Sequence, residues 1–211
     1  MKKSVIYAAL LAAIASVGCG NKQDANDKNF GVAIGQFLDK RGDLCMSPSF
    51  THDKWPVDLS QIELSMEKTM PSGPAGQMAA LAAVGLASQS DIEVDQIAWT
   101  GKPTGNKIKM KRYALTDTGK KFYHEKQGVL CYGKESLDKV VKWDIPQSLG
   151  GALITNVKYL YKIEGLADWA NNADVQAAFP YIRTMIDGAG KQEQAQGIKL
   201  TNQGWEALGL E

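Results

Sequence analysis

The chain has 211 residues, with 24 Lys and Arg against 23 Asp and Glu and a formal net charge of +1. That balance argues against nucleic acid as a partner, because phosphate binding needs an excess of basic side chains on one face. Five Trp, seven Tyr and five Phe supply the bulk for a folded core, and the length allows one large domain or two small ones.

Residues 1–18, "MKKSVIYAALLAAIASVG", pair a short basic start (Lys2, Lys3) with an apolar run from Val5 to Val17. The run has the length of a signal-peptide core and is too short to span a bilayer comfortably. It leads through small residues to Cys19 in "ASVGCGNK". This stretch resembles the lipobox of bacterial lipoproteins, in which a small residue precedes a cysteine that is lipidated and becomes the mature N-terminus. Gly18 and Cys19 match the pattern, and Ser16 departs from the usual leucine. The resemblance implies a lipid anchor at Cys19, with enough acyl chains for stable attachment. Aspartate after the cysteine retains enterobacterial lipoproteins in the inner membrane. Gly20 stands there, so the resemblance implies the outer membrane, facing the periplasm. Residues 19–28 are polar and without aromatics, and read as a flexible tether.

Removal of residues 1–18 leaves 193 residues with 22 basic and 23 acidic side chains. With Cys19 carrying lipid, Cys45 and Cys131 remain, and an even pair in an oxidising compartment is expected to form a disulfide. Their settings match: "GDLCMS" and "GVLCYG". The offset of 86 residues between them recurs closely. Phe37 and Phe122 are 85 apart, Gly35 and Gly119 are 84, Trp55 and Trp143 are 88, and Leu115-Thr116 and Leu200-Thr201 are 85. This spacing predicts two tandem related units of about 85 residues, 29–113 and 114–211, which could form one compact domain.

Within the first unit, Asn29 is an expected N-cap, and Phe30, Ile34, Phe37 and Leu38 share a helical face ended by Gly42. "DLCM" reads as a strand. "SQIELSMEKTM" alternates Ile62, Leu64 and Met66, which favours a strand; "QMAALAAVGLAS" reads as a buried helix. "IEVDQIAW" and "NKIKMKRYAL" form an expected hairpin around "TGKPTGN". In the second unit, "TDTGKKFYHEKQG" is a predicted helix capped by Thr116 or Asp117, followed by the strand "GVLCY". "LDKVVKWDIP" and "ALITNVKYLYKIEG" are predicted strands joined by "QSLGG". "ADWANNADVQAAFPYIRTMIDG" is helical with a break before Pro180, "QGIKL" is a strand and "TNQGWEALGL" a closing helix. The fold class expected is α+β, with short antiparallel strands and hairpins and helices packed on one side. A helix, a hairpin and "LTxxG" opening another helix resembles the wing region of winged-helix regulators. That resemblance spans some forty residues and implies local shape; the export signal and balanced charge oppose the DNA binding it would imply.

Chemistry-bearing residues are sparse. His52 and His124 each stand beside an acid, but sequence neighbours do not face one another on a helix or strand. No CxxC, HxH, HExxH or calcium-loop pattern is present, so neither metal nor cofactor is expected. "DIEVD" reads as a strand with a wet face, and "KIKMKRY" as an exposed basic strand face open to anionic headgroups or a partner. The apolar, post-helix settings of Cys45 and Cys131 disfavour a nucleophilic thiolate, and the chain has no GxSxG. The reading is a non-enzymatic, lipid-anchored envelope protein that binds a protein partner, either an envelope component or a toxin if the chain is an immunity lipoprotein. A periplasmic hydrolase or a small-molecule binding module remains the alternative.

Overall fold

The computed structural model describes residues 21–48 and 54–210. The expected signal peptide, Cys19 and His52 lie outside them. The protein is α+β, with two antiparallel sheets and helices packed against them.

Helix α1 (Asp27–Arg41) starts earlier than the sequence suggests. Asn26, not Asn29, is its N-cap and accepts from the Asn29 backbone N–H at 2.9 Å. Asn29 instead donates from Nδ2 to the carbonyls of Asn21 and Asp24, both at 2.9 Å. Phe30, Ile34 and Leu38 of the predicted face are buried together with Ala33, while Phe37 is only partly buried against the core. Asp27 in the first turn and Lys40 and Arg41 in the last complement the helix dipole.

The stripe covers a large sheet of order β1-β6-β8-β9-β10. Its strands are β1 (Asp43–Met46), β6 (Val129–Trp143), β8 (Ala152–Glu164), β9 (Gln194–Thr201) and β10 (Gly204–Ala207). Short strands β5 (Tyr123–His124) and β7 (Gln147–Leu149) pair with β6 and β8. A second sheet has the order β2-β4-β3, from β2 (Val57–Ser60), β3 (Ala87–Ile97) and β4 (Pro103–Leu115). Helices α2 (Gln61–Ser65), α3 (Pro74–Ala83), α4 (Asp117–Lys120), α5 (Ala173–Ala178) and α6 (Pro180–Gly188) complete the fold. Buried side chains from both sheets form one cluster, from Phe30 and Leu44 through Leu59, Leu81 and Tyr113 to Tyr161, Ile182 and Trp205.

Cys45 and Cys131 are directly opposed on β1 and β6, with Sγ atoms 2.02 Å apart, a disulfide-compatible pair. The pairing does not follow the boundary at 113/114. α1 and β1, from the first stretch, complete the sheet built by the second. One landmark pair falls on elements of unlike length: Gly35 lies in a helix of 15 residues and Gly119 in one of four.

Four local expectations need correction. "SQIELS" is not a strand: a capping box ends β2 and starts α2, with the Ser60 N–H donating to Glu63 Oε2 at 2.8 Å and the Glu63 N–H to Ser60 Oγ at 3.3 Å. The cap outweighs the alternation, and Ile62 and Met66 are exposed. "TDTGKKFYHEKQG" gives only the single turn of α4, after which β5 folds back on β6. "TNQGWEAL" is not a helix but the β9–β10 hairpin. There Thr201 Oγ1 accepts from the Gln203 N–H at 3.1 Å and donates to the Gly204 carbonyl at 2.8 Å. At Thr116 the same Thr-x-x-Gly spacing does cap a helix, accepting from the Gly119 N–H at 3.0 Å.

The fourth correction concerns the tether. Residues 21–28 are folded onto the body rather than free. Besides the Asn29 bonds, Trp205 Nε1 donates to the carbonyls of Gln23 at 3.1 Å and Asp24 at 3.2 Å. Phe30 then wedges edge-on between Trp143 and Trp205, at ring-centroid distances of 5.1 and 5.0 Å. Polar composition suggests a loose segment, yet backbone carbonyls are acceptors in any sequence, and a distant tryptophan uses them.

Two variants test this frame. Cys45→Ala/Cys131→Ala opens a loop with a sequence separation of 86; urea denaturation of the oxidised proteins is expected to show a loss of roughly 2–4 kcal/mol. Trp205→Phe keeps the ring and removes the donor. It is expected to cost about 1 kcal/mol and to speed limited proteolysis at residues 21–26, read by mass spectrometry.

Candidate functional site

Most of the second sheet's polar chemistry lies on the β3–β4 hairpin. Its base is anchored. β2 pairs with β4 from Val57↔Tyr113 to Ser60↔Met110, and Val57, Leu59 and Tyr113 are buried. On the other side of β4, Arg112 grips Asp58 through two bonds of 2.7 Å, Nε to Oδ1 and a terminal guanidinium nitrogen to Oδ2. This pairing holds the Arg112 guanidinium above its ordinary pKa.

Beyond Ser60↔Met110 the strands continue as a two-stranded ribbon, paired among the described residues only with each other. Asp91, Glu93 and Asp95 stand opposite Lys111, Lys109 and Lys107 in register. Ion pairs close at both ends of this ladder: Lys107–Asp95 at 3.1 Å and Lys111–Asp91 at 3.6 Å. "DIEVD" is therefore a strand with a wet face, as its alternation indicates. The expected basic face of "KIKMKRY" is matched by acids across the ribbon, so it is not a basic patch. Such exposed pairs contribute a few tenths of a kcal/mol each and fix register more than stability.

The opposite face of the ribbon is apolar, with Ile92 opposite Met110 and Val94 opposite Ile108. Between the ribbon and α2 lies a groove of about 560 Å³, with Leu64, Ile92 and Met110 among its walls and Asp91 and Lys109 at its rim. The tip closes through Gly101, which adopts φ 79° and donates to the Ala98 carbonyl at 2.8 Å. It displays Trp99, 98% exposed, beside Ile97, 56% exposed. Among the described residues β3 is also an edge strand, leaving a row of backbone donors and acceptors open to another strand.

A second cluster lies under α6. Tyr132, Tyr159 and Tyr161 are buried, and Tyr161 donates to the Met185 carbonyl at 2.7 Å. Glu135 is half-buried among them, and burial pushes its carboxyl above the ordinary carboxylate range. Burial, with Glu135 and Tyr161 nearby, pushes Tyr159 up to about 12. Tyr132 Oη and Trp169 Nε1 are buried without a hydrogen-bond partner among the described residues, and their rings meet edge-on at 6.2 Å.

His124 is exposed on β5. Among the described residues, no three His, Cys, Asp or Glu side chains converge as a metal site would require. Cys45 and Cys131 face each other in disulfide-compatible geometry. The hairpin tip and the Glu135 cluster were not singled out from sequence. An isolated Trp in "IAWTGKPTG" could have flagged the tip, because large aromatics are rare at glycine-rich turns. Comparison with protein families, curated proteins and solved structures finds no match.

Glu135 sets a pH dependence. Its folded pKa lies above its unfolded one, so between the two values the native state holds a proton that the unfolded chain has released. Stability therefore falls as pH rises through that window. Glu135→Gln is expected to match wild type below about pH 4 and to exceed it in Tm near neutrality, read by thermal unfolding across pH.

Proposed function

We propose that the protein is a lipid-anchored cell-envelope protein that acts by binding another envelope protein, with the β3–β4 hairpin as the contact element. The lipobox-like "ASVGCGNK" supports an anchor at Cys19, and Gly20 supports the outer membrane, facing the periplasm. The disulfide-compatible Cys45–Cys131 pair fits an oxidising compartment. The observation that carries the binding reading is Trp99 at 98% exposure on a hairpin whose edge strand is free. Tryptophan fully in water at a hydrogen-bonded turn has a large apolar area to bury, which is the profile of an interface anchor. The ladder of acids and lysines orients the ribbon, and the apolar stripe offers the partner a surface continuous with the tip.

A photo-reactive phenylalanine analogue at position 97, in cells, tests this reading. A discrete cross-linked protein is expected from position 97 and none from exposed Asp174 on α5. Trp99→Ser is expected to abolish that product while changing stability by less than about 0.5 kcal/mol. No discrete product from the tip would refute the hairpin as the contact element.

A further inference from the structure

The chain reaches the body at one end of the large sheet. Lys22 lies against Gly204, where a Cβ added to the glycine would sit 3.2 Å from the Lys22 carbonyl oxygen. Gln23 and Asp24 are held by Trp205. Gly204 pairs with Thr201 across the β9–β10 turn. On β8, Ile154 pairs with Lys199, so the same register carried two residues further sets Ala152 level with Thr201. Leu149 in turn pairs with Ala152 across a two-residue turn, Gly150-Gly151, with φ 60° and 83°. The β7–β8 turn, the β9–β10 turn and the entry of residues 21–24 therefore share one rim. Neighbouring strands are roughly 4.8 Å apart, which sets Leu149 roughly 15 Å from Gly204.

Among polar residues, that rim holds two large apolar side chains out in solvent. Ile145 is 84% exposed and Leu149 is 70% exposed. Both are on a fixed framework. Asp144, just before Ile145, donates from its N–H to the Asn156 carbonyl at 3.1 Å and accepts from Thr155 Oγ1 at 2.6 Å. Trp143, wedged on Phe30, stands one residue further in. Apolar side chains on a pinned turn cannot fold away from water.

Cys19 precedes Asn21 by two residues, a reach of roughly 7 Å when fully extended. With no free tether after Asn21, a lipid on Cys19 would bring this rim to the bilayer surface. We propose that the rim is a membrane-seating face, and that Ile145 and Leu149 enter the boundary between headgroups and acyl chains beside the anchor. This rests on the reading of Cys19 as lipidated. Insertion to roughly 5–10 Å is the depth at which interfacial apolar groups sit. The exposed charges of these segments are of both signs, Lys22 with Asp24 and Asp144, and Lys142 pairs with Glu193 at 3.8 Å, so the seating is apolar and needs no anionic lipid. It also fixes the body's orientation, which a flexible tether would leave free.

The test uses the lipidated full-length mature protein in phosphatidylcholine vesicles, with an environment-sensitive fluorescent amino acid placed singly at 145, 149 or, as control, 174. Flotation reports the anchor, and emission reports the seating. Flotation is expected, with blue-shifted emission quenched by brominated lipid at 145 and 149 and a water-like spectrum at 174. Flotation with water-like spectra at 145 and 149 overturns the seating and leaves the anchor standing. Quenching that appears only in whole envelope membranes assigns the rim to a protein and also overturns it. Failure to float, with Cys19 present and unmodified by mass spectrometry, removes both.

Discussion

The pairing of β1 with β6 is the constraint on which the rest of the fold depends. Four residues of β1 carry Cys45 opposite Cys131 and place α1 across the sheet that β6, β8, β9 and β10 build. Leu44 pairs with Gly133 and Cys45 with Cys131, so Tyr132 is left as an extra residue in the bulge. That local break accompanies the buried tyrosines and Glu135. α1 itself docks on β6 and β10, where Phe30 meets Trp143 and Trp205, and β1 continues the chain from α1 onto the edge of the same sheet. A disulfide at this compatible pair would act where the sequence separation, and so the entropy of closing the loop, is large.

The same pairing explains why the two halves do not behave as separate bodies. The first contributes α1 and β1 to the large sheet and keeps β2, β3 and β4 for the small one. α3 packs on α5, so helices from both halves also meet. Among the apolar side chains that the single core leaves in solvent are Trp99 at the hairpin tip and Ile145 and Leu149 at the rim. Each sits on backbone pinned by hydrogen bonds, which separates them from scattered surface hydrophobics. Together they suit an envelope protein that seats one face on lipid and offers a ribbon to a partner.

Much of this was legible in the residues. Helix α1, the long hairpin, the "LGG" turn and the choice of Cys45 and Cys131 as candidate partners all rest on signals within a few residues or on cysteine number. The errors share one cause. "LTDTG" and "LTNQG" have the same local preferences, yet Thr116 caps a helix and Thr201 closes a hairpin. "SQIELS" alternates like a strand, yet Ser60 and Glu63 cap a helix. Weak local propensities of comparable size are decided by what burial each choice allows, as with Trp205 at 5% exposure on β10.

By itself the sequence determined the α+β class and the long hairpins, because periodicity and turn residues are local. Only the tertiary structure decided that residues 21–28 are pinned, that the lysines of β4 are matched, and that Trp99, Ile145 and Leu149 stay in water. Those outcomes depend on contacts between residues far apart in the chain, such as Trp205 with Gln23 across a separation of 182. No window of sequence contains both partners.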